Sequence, residues 1–549
     1  MARPLPQIAA FFLALIAAHA GLAVAGPAAR ELPTLAAVLP IEAVSEDRPA
    51  ALVDTIDTVD TVDTVDTVDT VDTVDTVDWP AEIAGRLAAL RDRPRPPDLA
   101  ADPALDADLN ALQQRLAAVV RATGARIGVH VRDLDSGRTL FDHRGDQRYN
   151  PASNQKLVTA IAAVELLGPQ YRFSTRVLRQ GDTLVLIGEG DPSLQLTDLH
   201  ALASQVVAAG AHHGVRRIVV DDSAFSPRRY GPGYSPQGDG ASYTAPSGAL
   251  SLAYNTAVVT IRPGASGRPA SIDLSPTSAH LRLQGEVRTG RGRPLRVASR
   301  DADDLTVIEV DGAIPAGHAP VTVRRRIADP ALFTGHAFAE LMGQLAGTHE
   351  LLPVTRELAA QGARLVASHA SAPLADVLAS SLKFSNNFTS EQVLRTLGWR
   401  MSGTPGSWTT GHAAVLALWH ALGLDPADLE FENGAGLSRH GRVSPRALVA
   451  LLARTREEGS PAAALMPTLA SAGGEGTLHR RMTGSDGRVR GKTGTISGVS
   501  ALSGVAASAD GRAALGFSVL INGGGAAKGH RRLQDRVVLA LLGHLDRRP

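Results

Sequence analysis

Cysteine is absent from all 549 residues, and lysine occurs only at positions 156, 383, 492 and 528. The first absence excludes thiol catalysis, a cysteine-ligated zinc site and disulfide stapling. The scarcity of lysine singles out the four that remain, because every other fixed positive charge is arginine. A guanidinium cannot give up its proton in a protein, whereas a desolvated lysine can. Other signatures are missing too. There is no Gly-x-Ser-x-Gly elbow, which argues against an α/β-hydrolase. No His-Glu-x-x-His is present, and His212-His213 reads as a surface pair, so no metal or cofactor is expected. Gly491-Lys492-Thr493 resembles the end of a phosphate loop, but Asp486 stands where the first glycine is required, and strand-like residues follow. Nucleic-acid binding has no motif behind it.

The formal charge balances at 55 basic and 55 acidic residues. Nine of the acids lie in a period-three tract, Asp-Thr-Val, over residues 54–78. Period three fits neither a helix nor a strand, and its like charge opposes compaction, so it reads as an extended spacer. Carboxylates suit calcium, but the tract lacks the glycine turns of calcium loops. At the N-terminus Arg3 leads into the apolar stretch from Ile8 to Ala18, followed by Ala18-His19-Ala20 and Ala23-Val24-Ala25. This is the pattern of a secretory signal cleaved at Ala20 or Ala25. The stretch is shorter than the roughly 20 residues that span a bilayer, so no transmembrane segment is expected after cleavage.

Ordered structure is expected from about residue 105. Leu109 to Val120 has helical spacing, and two strand-like runs, 127–131 and 138–141, meet at Asp135-Ser136-Gly137. Pro151-Ala152-Ser153 opens an apolar helix that Gly168-Pro169 closes. From about 175 to 370 short β-like runs alternate with Gly and Pro, which reads as a β-rich insertion. The chain closes with two strands around Asp510-Gly511 and a helix over 532–545. The expected fold class is α+β, with one antiparallel sheet assembled from both chain ends. The expected domains are a signal at 1–25, a disordered linker at 26–104, a catalytic domain at 105–180 and 370–549, and an insert at 181–369.

The chemistry centres on Ser153-Asn154-Gln155-Lys156, Ser385-Asn386-Asn387 and Lys492-Thr493-Gly494-Thr495. Residues i and i+3 share a helix face, so Lys156 can reach Ser153 Oγ. The helix N-terminus favours the charge that develops when serine attacks a carbonyl. Lys156 must be neutral to take the proton; desolvation and a second cation, Lys492, would lower its pKa. A second Ser-x-x-Lys, Ser380 to Lys383, lacks the helix-start setting and reads as ordinary helix positions beside the site.

These three elements in this order are the signature of the penicillin-interacting serine acyltransferases. From about 105 to 549 the chain resembles the D-alanyl-D-alanine carboxypeptidase/endopeptidase family of class C, low-molecular-mass penicillin-binding proteins. The likeness includes Gly188-Glu189-Gly190-Asp191-Pro192-Ser193-Leu194 and Asn433-Gly434-Ala435-Gly436-Leu437-Ser438-Arg439. Gly476-Thr477-Leu478 with Arg481, and Gly498 to Gly504, extend it. The step from Ser153 to Ser385, 385 − 153 = 232 residues, matches the inserted domains of that family. The resemblance implies a serine β-lactamase/transpeptidase-like fold with Ser153 as acylated nucleophile, Lys156 as its base and Ser385 as proton relay. Asn387 would hold the substrate peptide's amide. Lys492, Thr493 and Thr495 would bind the terminal carboxylate within the Lys492-Thr493-Gly494-Thr495 segment. Backbone N–H groups of Ser153 and Thr495 would form the oxyanion hole. The partners implied are peptidoglycan stem peptides and β-lactams, in the periplasm. Two rivals share part of this pattern: a serine β-lactamase, although no Glu-x-x-Leu-Asn supplies a deacylation base, and a silent wall-binding protein.

Overall fold

The computed structural model describes residues 80–92 and 103–547, apart from 236, 304, 349–350 and 525. The signal at 1–25 and the Asp-Thr-Val tract at 54–78 therefore lie outside the described residues. Helix α1 (Ala81–Arg91) corrects the expectation of a linker without order up to residue 104. Its two buried residues, Ile83 and Leu87, are spaced i, i+4 and join a core shared with helices later in the chain. Helix α2 (Pro103–Arg121) covers the expected 109–120 segment.

The central sheet has six antiparallel strands in the order 470–471, 489–496, 499–507, 514–522, 126–133 and 139–143. Both chain ends contribute, as the strand-like runs implied. Successive side chains of a strand point to opposite faces, and the two faces of this sheet are both covered. Leu515, Phe517, Val519 and Ile521 share a core with α2 and with the C-terminal helix, whereas Leu520 and Ala501 join the core of the other helical layer. That second layer contains α3 (Gln155–Leu167), which is buried at every position but the last. Gly168, at φ 89, ends α3 where a side chain would be strained.

Between the two parts of this layer lies the insert. Its five-stranded sheet has the order 354–356, 217–221, 183–188, 174–180, 364–370. Strands 174–180 and 364–370 pair with each other, Ser174 opposite Ala370, so they close the neck of the insert. The insert has its own hydrophobic core, running from Val177 to Ala367. It holds more helix than the expected β-rich texture: α4 (Leu196–Ala208) and α5 (Pro330–Ala346) pack into that core. The α5 boundaries are written in the sequence. Asp329 caps the first turn, Pro330 sits at the first helical position, and Gly347 ends the helix at φ 67.

The chain then returns to the layer of α3 as α6 (Leu374–Lys383), α7 (Asn387–Ser402), α8 (Trp408–Ala421) and α9 (Pro445–Ala453). Helix α10 (Ala527–Leu545) closes the fold and begins five residues before the expected start. Among the described residues no helix is long and apolar enough to cross a membrane.

Candidate active site

Ser153 lies in a single 3-10 turn, Ala152–Asn154, that runs into α3. The turn is held from three sides. Ala152 N donates to Asn150 Oδ1 at 2.8 Å, and the Asn154 side chain lies 2.7 Å from Ser503 Oγ on the sheet. Gly436, at φ 78, sits so close that a Cβ there would lie 2.0 Å from the Ala152 carbonyl oxygen. On the third side is strand 489–496. Its neighbour 470–471 pairs only with residues 490–491, which leaves the edge beyond Lys492 without a strand partner on that side. Gly494 on that edge faces Ser153: a Cβ would lie 2.8 Å from Pro151 O and 3.0 Å from Ser153 N.

Lys156 is fully buried one turn after Ser153. Its Nζ lies 3.0 Å from Ser153 Oγ and donates to Asn387 Oδ1 at 2.8 Å and to the Ala435 carbonyl at 2.7 Å. Burial brings its pKa down to about 7, and the Glu391 carboxylate partly opposes that fall. Burial is therefore the principal cause, where the sequence pointed jointly to a neighbouring cation. The effect is large. An unperturbed lysine is neutral in only about three molecules in ten thousand at pH 7, whereas one with a pKa near 7 is neutral in about half.

Ser385 connects α6 to α7. It adopts φ 64, a left-handed conformation that costs a non-glycine residue about 1–2 kcal/mol. Asn386 caps α7 by accepting from Thr389 N at 3.2 Å, so α7 starts at Asn387. Ser385 Oγ accepts from Lys492 Nζ at 2.9 Å, across 107 positions of sequence. Lys492 is also fully buried and donates to its neighbour's carbonyl, Thr493 O, at 2.7 Å. Burial first, and the Lys156 charge second, hold the Lys492 ammonium well below its usual pKa. A substrate carboxylate arriving beside Lys492 would reverse that preference and draw the proton there, leaving Lys156 neutral.

Two contact groups thus form, Ser153–Lys156–Asn387 and Ser385–Lys492, and Gly494, two residues after Lys492, lies against the turn that carries Ser153. Thr493 Oγ1 donates to Thr477 Oγ1 at 2.8 Å, and Thr495 is exposed. Ser380 and Lys383 do not meet. Ser380 Oγ lies 2.9 Å from Thr389 Oγ1, and Lys383 pairs with the exposed Glu475 at 2.6 Å. Pairs of that kind contribute about 0–1 kcal/mol. A Lys383→Ala variant is expected to keep its activity within about three-fold of the parent, checked by the rate of D-alanine release. Arg481 turns away from the site to bind Asp535 on α10 at 2.7 Å.

Several functional groups escaped the sequence reading. The Ala435 carbonyl that accepts from Lys156 is one. Another is Tyr243 of the insert, whose carbonyl accepts from Asn387 Nδ2 at 3.0 Å. Glu391 is a third, one turn after Asn387 on α7. The signal available for it was the acid at i+4 from Asn387 in a run that is otherwise neutral until Arg395.

Residues 109–541 match the D-Ala-D-Ala carboxypeptidase 3 (S13) family. A D-alanyl-D-alanine carboxypeptidase from Actinomadura sp. (strain R39) is 34% identical over 494 residues, covering 83% of this chain and 90% of that protein. The D-alanyl-D-alanine carboxypeptidase DacB of Haemophilus influenzae is 24% identical, covering 73% of this chain and 86% of its own. The crystal structure of penicillin binding protein 4 from Haemophilus influenzae shares the fold, with a TM-score of 0.65 at 23% identity, over 78% of this chain and 99% of that one. By the extent of the family match and the identity to the Actinomadura enzyme, the chain belongs to the D-Ala-D-Ala carboxypeptidase 3 (S13) family and is a hydrolase of the D-Ala-D-Ala carboxypeptidase type.

Proposed function

We propose that hydrolysis runs through an acyl-enzyme on Ser153, with neutral Lys156 as the base. The observation that carries this reading is the 3.0 Å contact between Lys156 Nζ and Ser153 Oγ, in a site that keeps the amine near neutrality in pKa. Ser153 Oγ attacks the carbonyl of the penultimate D-alanine while its proton passes to Lys156. The developing oxyanion lies between the backbone N–H groups of Ser153 and Thr495, where fixed donors stabilise it best. The proton that Lys156 took from Ser153 passes by way of Ser385, which Lys492 Nζ holds at 2.9 Å, to the departing amine, so that D-alanine leaves and Lys156 is neutral again. Lys492 and the Thr493 and Thr495 hydroxyls receive the terminal carboxylate, and Asn387 receives the amide of the substrate peptide. Water then cleaves the ester, with Lys156 again as base.

The same steps cut a D-alanyl cross-link when the leaving group is a second stem peptide, so endopeptidase action needs no further chemistry. A β-lactam would enter by the same route and remain on Ser153, because its leaving group stays tethered. One comparison structure, penicillin binding protein 4 of Haemophilus influenzae, was solved in complex with a β-lactam. The N-terminal Arg3 and Ile8–Ala18 pattern supports export to the periplasm, where the cross-linked substrate lies, and the separate core of residues 174–370 supports an insert that folds as a domain of its own.

Peptide mapping after incubation with benzylpenicillin tests the reading. One adduct is expected, on the peptide carrying Ser153, persisting for many minutes. An adduct on Ser380, or no adduct, would sink it. Rapid release of hydrolysed penicillin would favour the β-lactamase alternative.

A further inference from the structure

Helix α7 carries a second group toward the site. Asn387 and Glu391 are four residues apart and share a face of the helix. The Glu391 carboxylate is buried and accepts four hydrogen bonds: from Trp408 Nε1 at 2.6 Å, Tyr234 OH at 3.0 Å, Gly434 N at 3.2 Å and Ala435 N at 2.8 Å. All four partners are donors, and a carboxylate has about four lone-pair sites, so the group is filled as an acceptor only. Burial raises its pKa overall, and these donors, Trp408 foremost, oppose that rise. Three of the four, the indole and the two peptide N–H groups, can only donate, and hydrogen bonds to the charged form favour that form.

The arrangement reaches Lys156 through one residue. Ala435 gives its N–H to Glu391 and its carbonyl to Lys156 Nζ. Gly434 likewise gives its N–H to Glu391 and its carbonyl to Thr159 Oγ1 of α3, at 2.8 Å. Glu391 thus grips the inner edge of the 433–437 loop, and the outer edge grips α3. The charged groups around this junction come from three elements: Lys156 on α3, Lys492 on strand 489–496, and Arg395 on α7, whose charge is favoured first by Glu391 itself and second by Asp222 of the insert. Tyr234, also from the insert, is the remaining titratable neighbour, and burial holds its phenol protonated. Glu391 is the acid that faces Lys156.

We propose that Glu391 is a positioning residue for acyl transfer, holding the Ala435 carbonyl that aims Lys156 at Ser153 and setting the charge against which Lys156 titrates. The inference rests on the reading of Lys156 as base. Removing the negative charge makes protonated Lys156 less favourable, so its neutral form persists to lower pH. The rate of acylation by a chromogenic cephalosporin, measured from pH 5 to 9, would then rise at lower pH than in the parent.

For Glu391→Gln the ascending limb is expected to move down by ~1 pH unit, and the plateau rate to fall about 10-fold or more, because the amide cannot satisfy four donors. Glu391→Asp keeps the charge on a shorter arm: the limb should stay where it is in the parent while the plateau falls about 10-fold. A Gln limb within ~0.2 units of the parent's, or an Asp variant at the parent's full rate, overturns the proposal. The Asp variant carries the test alone should the Gln variant fail to fold, and an Asp limb displaced from the parent's then counts against it as well. If the parent itself is not acylated, the reading of the site fails; if it is acylated normally and the variants match it, only the role of Glu391 fails.

Discussion

Replacing Lys156 with arginine is expected to lower the rate of penicillin acylation and of D-alanine release by about 10³–10⁴-fold while the protein stays folded. The charge is retained and the stem is of similar length, so what disappears is the ability to be neutral. Arginine has no accessible neutral form, whereas about half of the Lys156 amines are neutral near pH 7. The sign of the pH dependence follows. In the parent the active species is the free amine, so acylation rises with pH through about 7 and then levels off. In the arginine variant the residual rate should show no such limb, because nothing at that position titrates. Stopped-flow acylation from pH 5 to 9, with a thermal melt to confirm folding, is the measurement. A variant within ten-fold of the parent, or one that keeps the limb, would show that the proton goes elsewhere.

The motif residues were legible in the sequence because the reaction needs particular atoms. A hydroxyl, an amine one turn on and a second amine at a strand edge cannot be supplied by many residue types, and lysine is so scarce here that each one draws the eye. The sheet was legible for a different reason. The runs at 499–507 and 514–522 hold no charged residue at all, as suits strands covered on both faces. The supporting shell was not. A backbone carbonyl such as that of Ala435 carries no residue-specific sign. The left-handed turn at Ser385 falls where glycine or asparagine would have announced it, and surrounding contacts hold a serine there instead. Glu391 looked like one more polar position on a helix, since nothing local shows that its neighbours are an indole, a phenol and two peptide N–H groups from distant segments. Helix α1 was hidden by brevity: two buried residues in eleven give a weak pattern beside a proline-rich stretch.

Gly494→Ala is expected to slow acylation by about 10²–10³-fold without moving its pH dependence. The added methyl would sit 2.8 Å from Pro151 O and 3.0 Å from Ser153 N, and both are backbone atoms that cannot rotate away. The strand must therefore retreat from the 3-10 turn by a few tenths of an ångström or more. The melting temperature should fall only slightly, because overpacking of this kind costs about 1–3 kcal/mol and the strand edge is free to shift. The chemistry is less tolerant. An oxyanion held between Ser153 N–H and Thr495 N–H depends on the gap between two chain segments, and Gly494 sets that gap. Lys156 keeps its burial and its contact with Ser153, so the limb near pH 7 should stay in place while the whole curve drops. That pattern separates a lost oxyanion site from a lost base, which removes the limb, and from a lost countercharge, which displaces it. Were the alanine variant acylated within about three-fold of the parent's rate, stabilisation of the oxyanion could not depend on the closeness of strand 489–496 to Ser153.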